Sequence, residues 1–246
     1  QTECDKSNIS PNLAIIYNTL GRFYVENDDK INAIIQFKKA LEIGENCLEL
    51  DDNVIRLVLR NIVKFFQNEE DYTTALEYAT RLLNILQKNP TTILDDLATT
   101  YFKIGYLYYC KHDNNKAILN YQIALKFASP ANPNIGELYF NLALIYDDQK
   151  DLNEALLNYK NALKFLSNDD DFLVSTYNNI GVIYFFKHNY KKAEYNYYTA
   201  LQINETDNEL IAITYYNIAV IEEIKKDYIF ALDHYATALE TMNDHQ

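Results

Sequence analysis

The 246-residue chain has no tryptophan, only five glycines and four prolines, and three cysteines. So little turn-forming chemistry excludes a many-stranded β fold, whose tight connections draw on Gly and Pro, and points to a mostly helical chain. Cys4, Cys47 and Cys110 are odd in number, far apart and without C-x-x-C spacing. They support neither a disulfide framework nor a zinc knuckle, and they fit a reducing, cytoplasmic compartment. Basic residues are also short: 22 Lys and Arg stand against 35 Asp and Glu, a formal net charge of −13. Phosphate neutralisation needs clustered cations, and so does an anionic membrane surface, so neither nucleic acid nor membrane is expected as a partner. The longest apolar stretch, Ile180 to Phe186, is far short of the ~20 residues that span a bilayer. No charged-then-apolar leader opens the chain, which begins at Gln1 without Met; a segment of a longer protein is the expectation.

Motifs that carry chemistry are as sparse. His112 and His188 fall in polar turns, His234 on a helix and His245 at the end of the chain, none with a partner at a spacing that suggests a triad. Cys110 and His112 lack two further ligands for a metal. A Gly-rich phosphate loop is missing. The acidic runs Glu69-Glu70-Asp71 and Asp169-Asp170-Asp171 read as solvated helix starts, since no calcium-loop ligand pattern follows. No catalytic residue, metal or cofactor is expected, and the chain reads as a non-enzyme.

What is abundant is tyrosine, 22 in all, and its placement is periodic. Ala33, Ala75 and Ala117 are 42 residues apart, and Ala117, Ala155, Ala193 and Ala231 are 38 apart. Around each stands one frame. Sixteen residues before the alanine is an aromatic (Tyr17, Tyr101, Tyr139, Tyr177, Tyr215), twelve before is a small residue (Gly21, Gly105, Ala143, Gly181, Ala219), and nine before is a second aromatic (Tyr24, Phe66, Tyr108, Tyr146, Tyr184). Four residues after it comes an aromatic (Phe37, Tyr121, Tyr159, Tyr197, Tyr235) and seven after it another alanine (Ala40, Ala124, Ala162, Ala200, Ala238). Steps of three and four place each set on one helical face. Each unit is therefore two amphipathic helices joined by a polar turn such as Glu26-Asn27-Asp28-Asp29, and because a lone hairpin cannot bury its apolar face, the units stack. The second unit departs most, with Leu59, Val63, Ala79 and Leu82 in the aromatic or small slots.

Tyr177-Asn178-Asn179-Ile180-Gly181, Tyr184, Ala193, Tyr197 and Ala200 carry a frame that resembles the tetratricopeptide repeat. These units exceed the family's usual 34 residues by four or eight, a length similar to the kinesin light chain group and to bacterial receptors that sense signalling peptides. The resemblance implies an all-α, right-handed superhelix of six helical hairpins: a lead over 1–13, repeats beginning near 14, 56, 98, 136, 174 and 212 and running to 241, and a tail over 242–246. It also implies a non-catalytic module that binds an extended segment of another protein in a concave groove, as a scaffold or adaptor.

Register then names the groove residues. The slot before the Leu or Ile that precedes the small residue reads Thr19, Asn61, Lys103, Asn141, Asn179 and Asn217, and a row of asparagines can hold a peptide backbone through its amides. Neighbouring slots give Asn18, Arg22, Arg60 and Lys64 toward the N-terminus and Glu137, Asp147, Asp148, Glu222 and Glu223 toward the C-terminus. Phe102, Tyr106, Tyr109, Phe140, Phe185 and Tyr216 are rings the repeat frame does not require and are candidate anchors. The expected ligand is thus an extended segment with acidic residues and an apolar anchor. The clamp that chaperone-binding family members place on a C-terminal carboxylate is disfavoured: of Asn18, Arg22, Asn61, Thr99 and Lys103, only Asn61 matches, with Lys103 a partial substitute. Two other readings stand beside this one. One is a peptide-sensing domain that controls an attached effector; the other is a self-association module, suggested by the lack of a polar capping helix after the helix ending near Met242.

Overall fold

The computed structural model describes residues 11–46, 52–88, 93–167, 172–203 and 207–243. Cys4, Cys47, Asp169-Asp170-Asp171 and His245 lie outside them, as do the first ten residues of the expected lead. The described residues form helices and turns only. They run as α1 (Pro11–Glu26), α2 (Lys30–Asn46), α3 (Asp52–Asn68), α4 (Tyr72–Lys88), α5 (Leu94–Cys110) and α6 (Asn114–Phe127). Then come α7 (Ile135–Asp148), α8 (Leu152–Ala162), α9 (Phe172–Phe186), α10 (Tyr190–Ile203), α11 (Asn208–Ile224) and α12 (Tyr228–Asn243). Each odd-numbered helix pairs with the next to make a hairpin. The first helix starts at Pro11 and the last ends at Asn243, so both terminal hairpins reach two residues or so beyond the expected repeat limits.

The chain divides into two compact units, Gln1–Asn132 and Pro133–Gln246, each holding three hairpins. In the first unit, Phe37 and Leu41 of α2 meet Val58, Ile62 and Phe65 of α3 and Leu82 and Leu86 of α4. Further along, Val63, Ala75 and Ala79 meet Ile104 and Leu107 of α5. In the second unit Ala143, Ala155 and Tyr159 enclose Ile180 and Ile183 of α9, and Ala193 and Tyr197 enclose Ile218 and Ile221 of α11.

The small residue and the ring four after the alanine are one contact. A Cβ placed on Gly21, Gly105 or Gly181 would fall 2.5, 2.6 or 2.4 Å from the ring of Phe37, Tyr121 or Tyr197, so the ring of the second helix occupies the volume a side chain on the first would need. All three rings, and that of Tyr159, are buried. The second hairpin has no ring at Ala79; there Phe66 and Tyr78 stack, 5.8 Å between centroids, Val63 and Leu82 are buried like their counterparts, and Leu59 is buried where the other hairpins carry a half-buried tyrosine.

Every hairpin turns the same way. Asp28, Glu70, His112, Lys150, His188 and Lys226 each have positive φ, the left-handed conformation that glycine adopts without strain. All sit five residues before the repeat alanine, and none is glycine. The next residue caps the second helix: Asp29, Asp71, Asp113, Asp151 and Asn189 each accept from the backbone N–H three residues on. Accordingly, Lys150→Gly is expected to raise unfolding stability by about 1 kcal/mol, and Asp151→Ala to lower it by about 1 kcal/mol through loss of the cap; urea unfolding of both variants measures the pair.

Candidate functional site

The odd-numbered helices carry every residue the sequence nominates. In the first unit the structure brings several together. Arg22 of α1 and Asn61 and Lys64 of α3 line one hollow of about 190 Å³, with Val25, Phe37 and Phe65 as its apolar wall. Asn61 Nδ2 donates to Asn18 Oδ1 at 2.8 Å, tying the first two hairpins together. Lys103 of α5 is half-buried, and its ammonium is held below its ordinary pKa by burial first and then by the nearby charges of Arg60 and Lys64. Asp96, in the first turn of α5, supplies carboxylate to this side: Arg60 Nη2 reaches its Oδ1 at 2.7 Å and Arg56 Nη1 its Oδ2 at 3.5 Å. Arg60 is thus ion-paired. Glu26 lines the same hollow.

Several expectations need correction. Phe102 is no open anchor: it is buried and packs against Tyr121, with centroids 5.8 Å apart. Phe140 is likewise buried between Tyr159 and Phe172. These rings project from the side of the first helix next to the hairpin core, so they thicken the core. Tyr106 is half-buried, while Tyr216 is open, with 54% of its surface exposed.

The asparagine row is not uniform. Asn61 and Asn217 are half-buried, and half-buried Asn179 donates from Nδ2 to Tyr159 Oη at 3.0 Å. Asn141 is buried, its Nδ2 enclosed without a hydrogen-bond partner; an atom so covered reaches a peptide only if the side chain swings out. Two members of the row therefore cross-link hairpins, a use the sequence does not reveal.

In the second unit the acidic groups are engaged or sheltered. Glu222 Oε2 lies 2.7 Å from His234 Nδ1, whose ring stacks on Tyr215. Tyr235 Oη donates to Glu223 at 2.9 Å. Burial lifts the Asp147 carboxyl above its ordinary range, with Lys150 opposing and Asp148 adding to the shift. Among the described residues no three His, Cys, Asp or Glu side chains gather as a metal site, and no helix is long and apolar enough to cross a membrane.

Tetratricopeptide repeat family models match residues 14–52, 136–165 and 172–244. The chain belongs to the tetratricopeptide repeat family, whose fold serves in general as a scaffold for protein–protein interaction. No match was found among curated proteins. Among solved structures, BtubC (BKLC) from P. vanneervenii is similar at 19% identity and a TM-score of 0.66, over 100% of this chain and 93% of that one. The apo form of RapI is similar at 13% identity and 0.68, over 94% and 97%. Pseudomonas aeruginosa pilF is similar at 17% identity and 0.68, over 91% and 89%. At such identities these likenesses define the fold alone.

Burial of the Lys103 ammonium, with the like charges of Arg60 and Lys64 added to it, works against folding. Lys103→Met keeps the apolar stem and removes the charge, and is expected to raise stability at neutral pH by about 0.5–1 kcal/mol. A lysine whose folded pKa is depressed carries its full penalty below that pKa, and the penalty fades as pH rises toward the ordinary lysine value. The gap between variant and parent is therefore expected to narrow in alkaline solution, which denaturant unfolding across pH measures.

Proposed function

We propose that the first unit binds an extended, acidic segment of a partner protein along the faces of α1, α3 and α5, and that the protein acts as a non-catalytic scaffold or adaptor. The observation that carries this reading is the cationic cluster of Arg22, Lys64 and half-buried Lys103, beside which Arg60 is held by Asp96. It is gathered on one side of three hairpins in a chain whose net charge is −13. A fold with no use for that cluster would be more stable without it; a carboxylate-bearing ligand offsets the repulsion and returns Lys103 toward its ordinary pKa. The hollow beside Arg22 and Lys64 has an apolar wall of Val25, Phe37 and Phe65, which suits an apolar side chain next to the acid. Asn61 keeps its carbonyl and one amide hydrogen for the ligand's backbone, since only one donor bond is used toward Asn18. Tyr106, Asn141, Asn179 and Asn217 are secondary in this reading.

A fluorescently labelled Glu-rich peptide with one Phe is expected to bind more tightly than its Lys-rich counterpart, with affinity falling as salt rises. The double variant Arg22→Glu, Lys64→Glu is expected to weaken it by roughly tenfold or more. Fluorescence anisotropy reads both; equal binding of the two peptides, or indifference to the charge reversal, overturns the reading.

A further inference from the structure

Within each unit, α3, α5, α9 and α11 present a second face, distinct from the side face, to the hairpin before them. Counted from the small residue, this stripe occupies positions −5, −1 and +2. In α3 it is Val58, Ile62 and Phe65; in α5, Thr100, Ile104 and Leu107; in α9, Thr176, Ile180 and Ile183; in α11, Thr214, Ile218 and Ile221. All twelve side chains are buried. In α1 the same positions hold Ile16, Leu20 and Phe23, which are 53, 40 and 59% exposed. Among the described residues no hairpin covers this stripe, and all three of its residues are large and apolar.

The complementary surface is open on the last hairpin. Between α11 and α12 lies an apolar hollow of about 440 Å³ lined by Ile213, Tyr216, Tyr235, Leu239 and Met242, of which Leu239 is 66% exposed. One hairpin earlier, the equivalents of Tyr235 and Leu239 are Tyr197 and Leu201, and they receive Ile218 and Ile221 of the following helix.

We propose that a second copy of this chain docks head to tail, its α1 stripe filling the hollow between α11 and α12 as the next hairpin of an array would. The register of the internal junction places Leu20 and Phe23 of one copy on Tyr235 and Leu239 of the other. It also makes the polar positions agree. Where α11 meets the fifth hairpin, the Thr214 hydroxyl lies 2.9 Å from the Asn178 side-chain amide; α1 and α11 carry Ile16 and Tyr216 at the two places that would meet, an apolar pair for an apolar contact. In the first unit Arg22 and Val25 of α1 share a hollow with Asn61 and Lys64 of α3. In the docked pair Glu223 takes the place of Val25 and Arg22 that of Lys64, so opposite charges face each other. The contact is heterologous, with different patches on the two copies, and a docked pair leaves one stripe and one hollow open.

This inference shares Arg22 with the acidic-segment reading, but its variants leave Arg22, Lys64 and Lys103 in place, so that either reading can fail without the other. Sedimentation velocity of the 246-residue protein is expected to show a mass that grows with concentration. Two variants alter exposed residues only and are expected to keep the parent's helical circular dichroism: Leu20→Glu with Phe23→Glu blocks the stripe, and Leu239→Glu blocks the hollow. Each alone is expected to be monomeric, and their equimolar mixture to form a dimer and nothing larger, since one intact stripe and one intact hollow remain. A parent that stays monomeric at every concentration overturns the proposal, as does a mixture that fails to pair. Association of the stripe variant with itself would mean that two C-terminal hairpins meet symmetrically, and overturns it too.

Discussion

A ring of the second helix resting on a bare patch of the first is the contact on which the other features of each hairpin depend. At Gly21, Gly105 and Gly181 there is no room for a Cβ beneath Phe37, Tyr121 and Tyr197, and at Ala143 a single methyl group suffices. Interiors packed at this density do not absorb an added side chain without a shift in backbone or rotamer. The contact fixes the distance between the two helices and the rotation of each about its axis. Once rotation is fixed, the positions at −5, −1 and +2 can only point at the preceding hairpin, and those at −2 and +1 can only point to the side. The second hairpin, with Ala79 in place of the ring, keeps the same rotation through the stack of Phe66 on Tyr78.

The family and the hairpin count were legible because they rest on period, which survives substitution at any single position. Polar turns were legible for the same reason. Their finer chemistry was present in the sequence as well: Asp or Asn four residues before every repeat alanine, at positions 29, 71, 113, 151, 189 and 227, is a capping signal as regular as the tyrosines. The left-handed residue before it was not legible, because Asp, Glu, His and Lys fill a position where glycine would have announced the conformation.

The candidate site was legible in part. Arg22, Asn61 and Lys64 converge as their register implies, since all three stand on the same side of parallel helices. Phe102 and Phe140 were misplaced because position −3 lies beside the core face, and whether its side chain opens outward depends on the neighbouring rings. Tyr121 closes over Phe102, and Phe172 over Phe140; Tyr216 meets Tyr235 at 5.7 Å between centroids and still keeps 54% of its surface exposed. The pairing of Arg60 with Asp96 joins residues 36 apart in sequence, Asp96 being on the third hairpin, and no local pattern foretells it. Asn61 and Asn179 look alike in sequence and share a cross-linking use, but their acceptors, a carbonyl and a phenol, are known only from the fold.

Helix geometry explains why charge and apolar surface do not interfere on the same element. At 3.6 residues per turn, the core face, the stripe toward the preceding hairpin and the side face fall roughly a third of a turn apart. Leu20 and Phe23 stand on the stripe and Arg22, between them in sequence, on the side. A charge placed on the stripe would be buried at every internal junction, at a cost of several kcal/mol unless paired; hence the stripes of α3, α5, α9 and α11 hold only apolar residues and threonine. The threonines answer their own burial: Thr100, Thr176 and Thr214 each return a hydroxyl hydrogen bond to the carbonyl four residues back. The side face is less restricted, because most of its residues stay exposed or half-buried, Asn141 being the buried exception. Lysine, arginine and asparagine can therefore accumulate there without weakening the stack, except at Lys103, where burial, and then the charges of Arg60 and Lys64, depress the ammonium's pKa. A repeat array thus separates what holds it together from what can recognise a ligand by rotation about one helix axis.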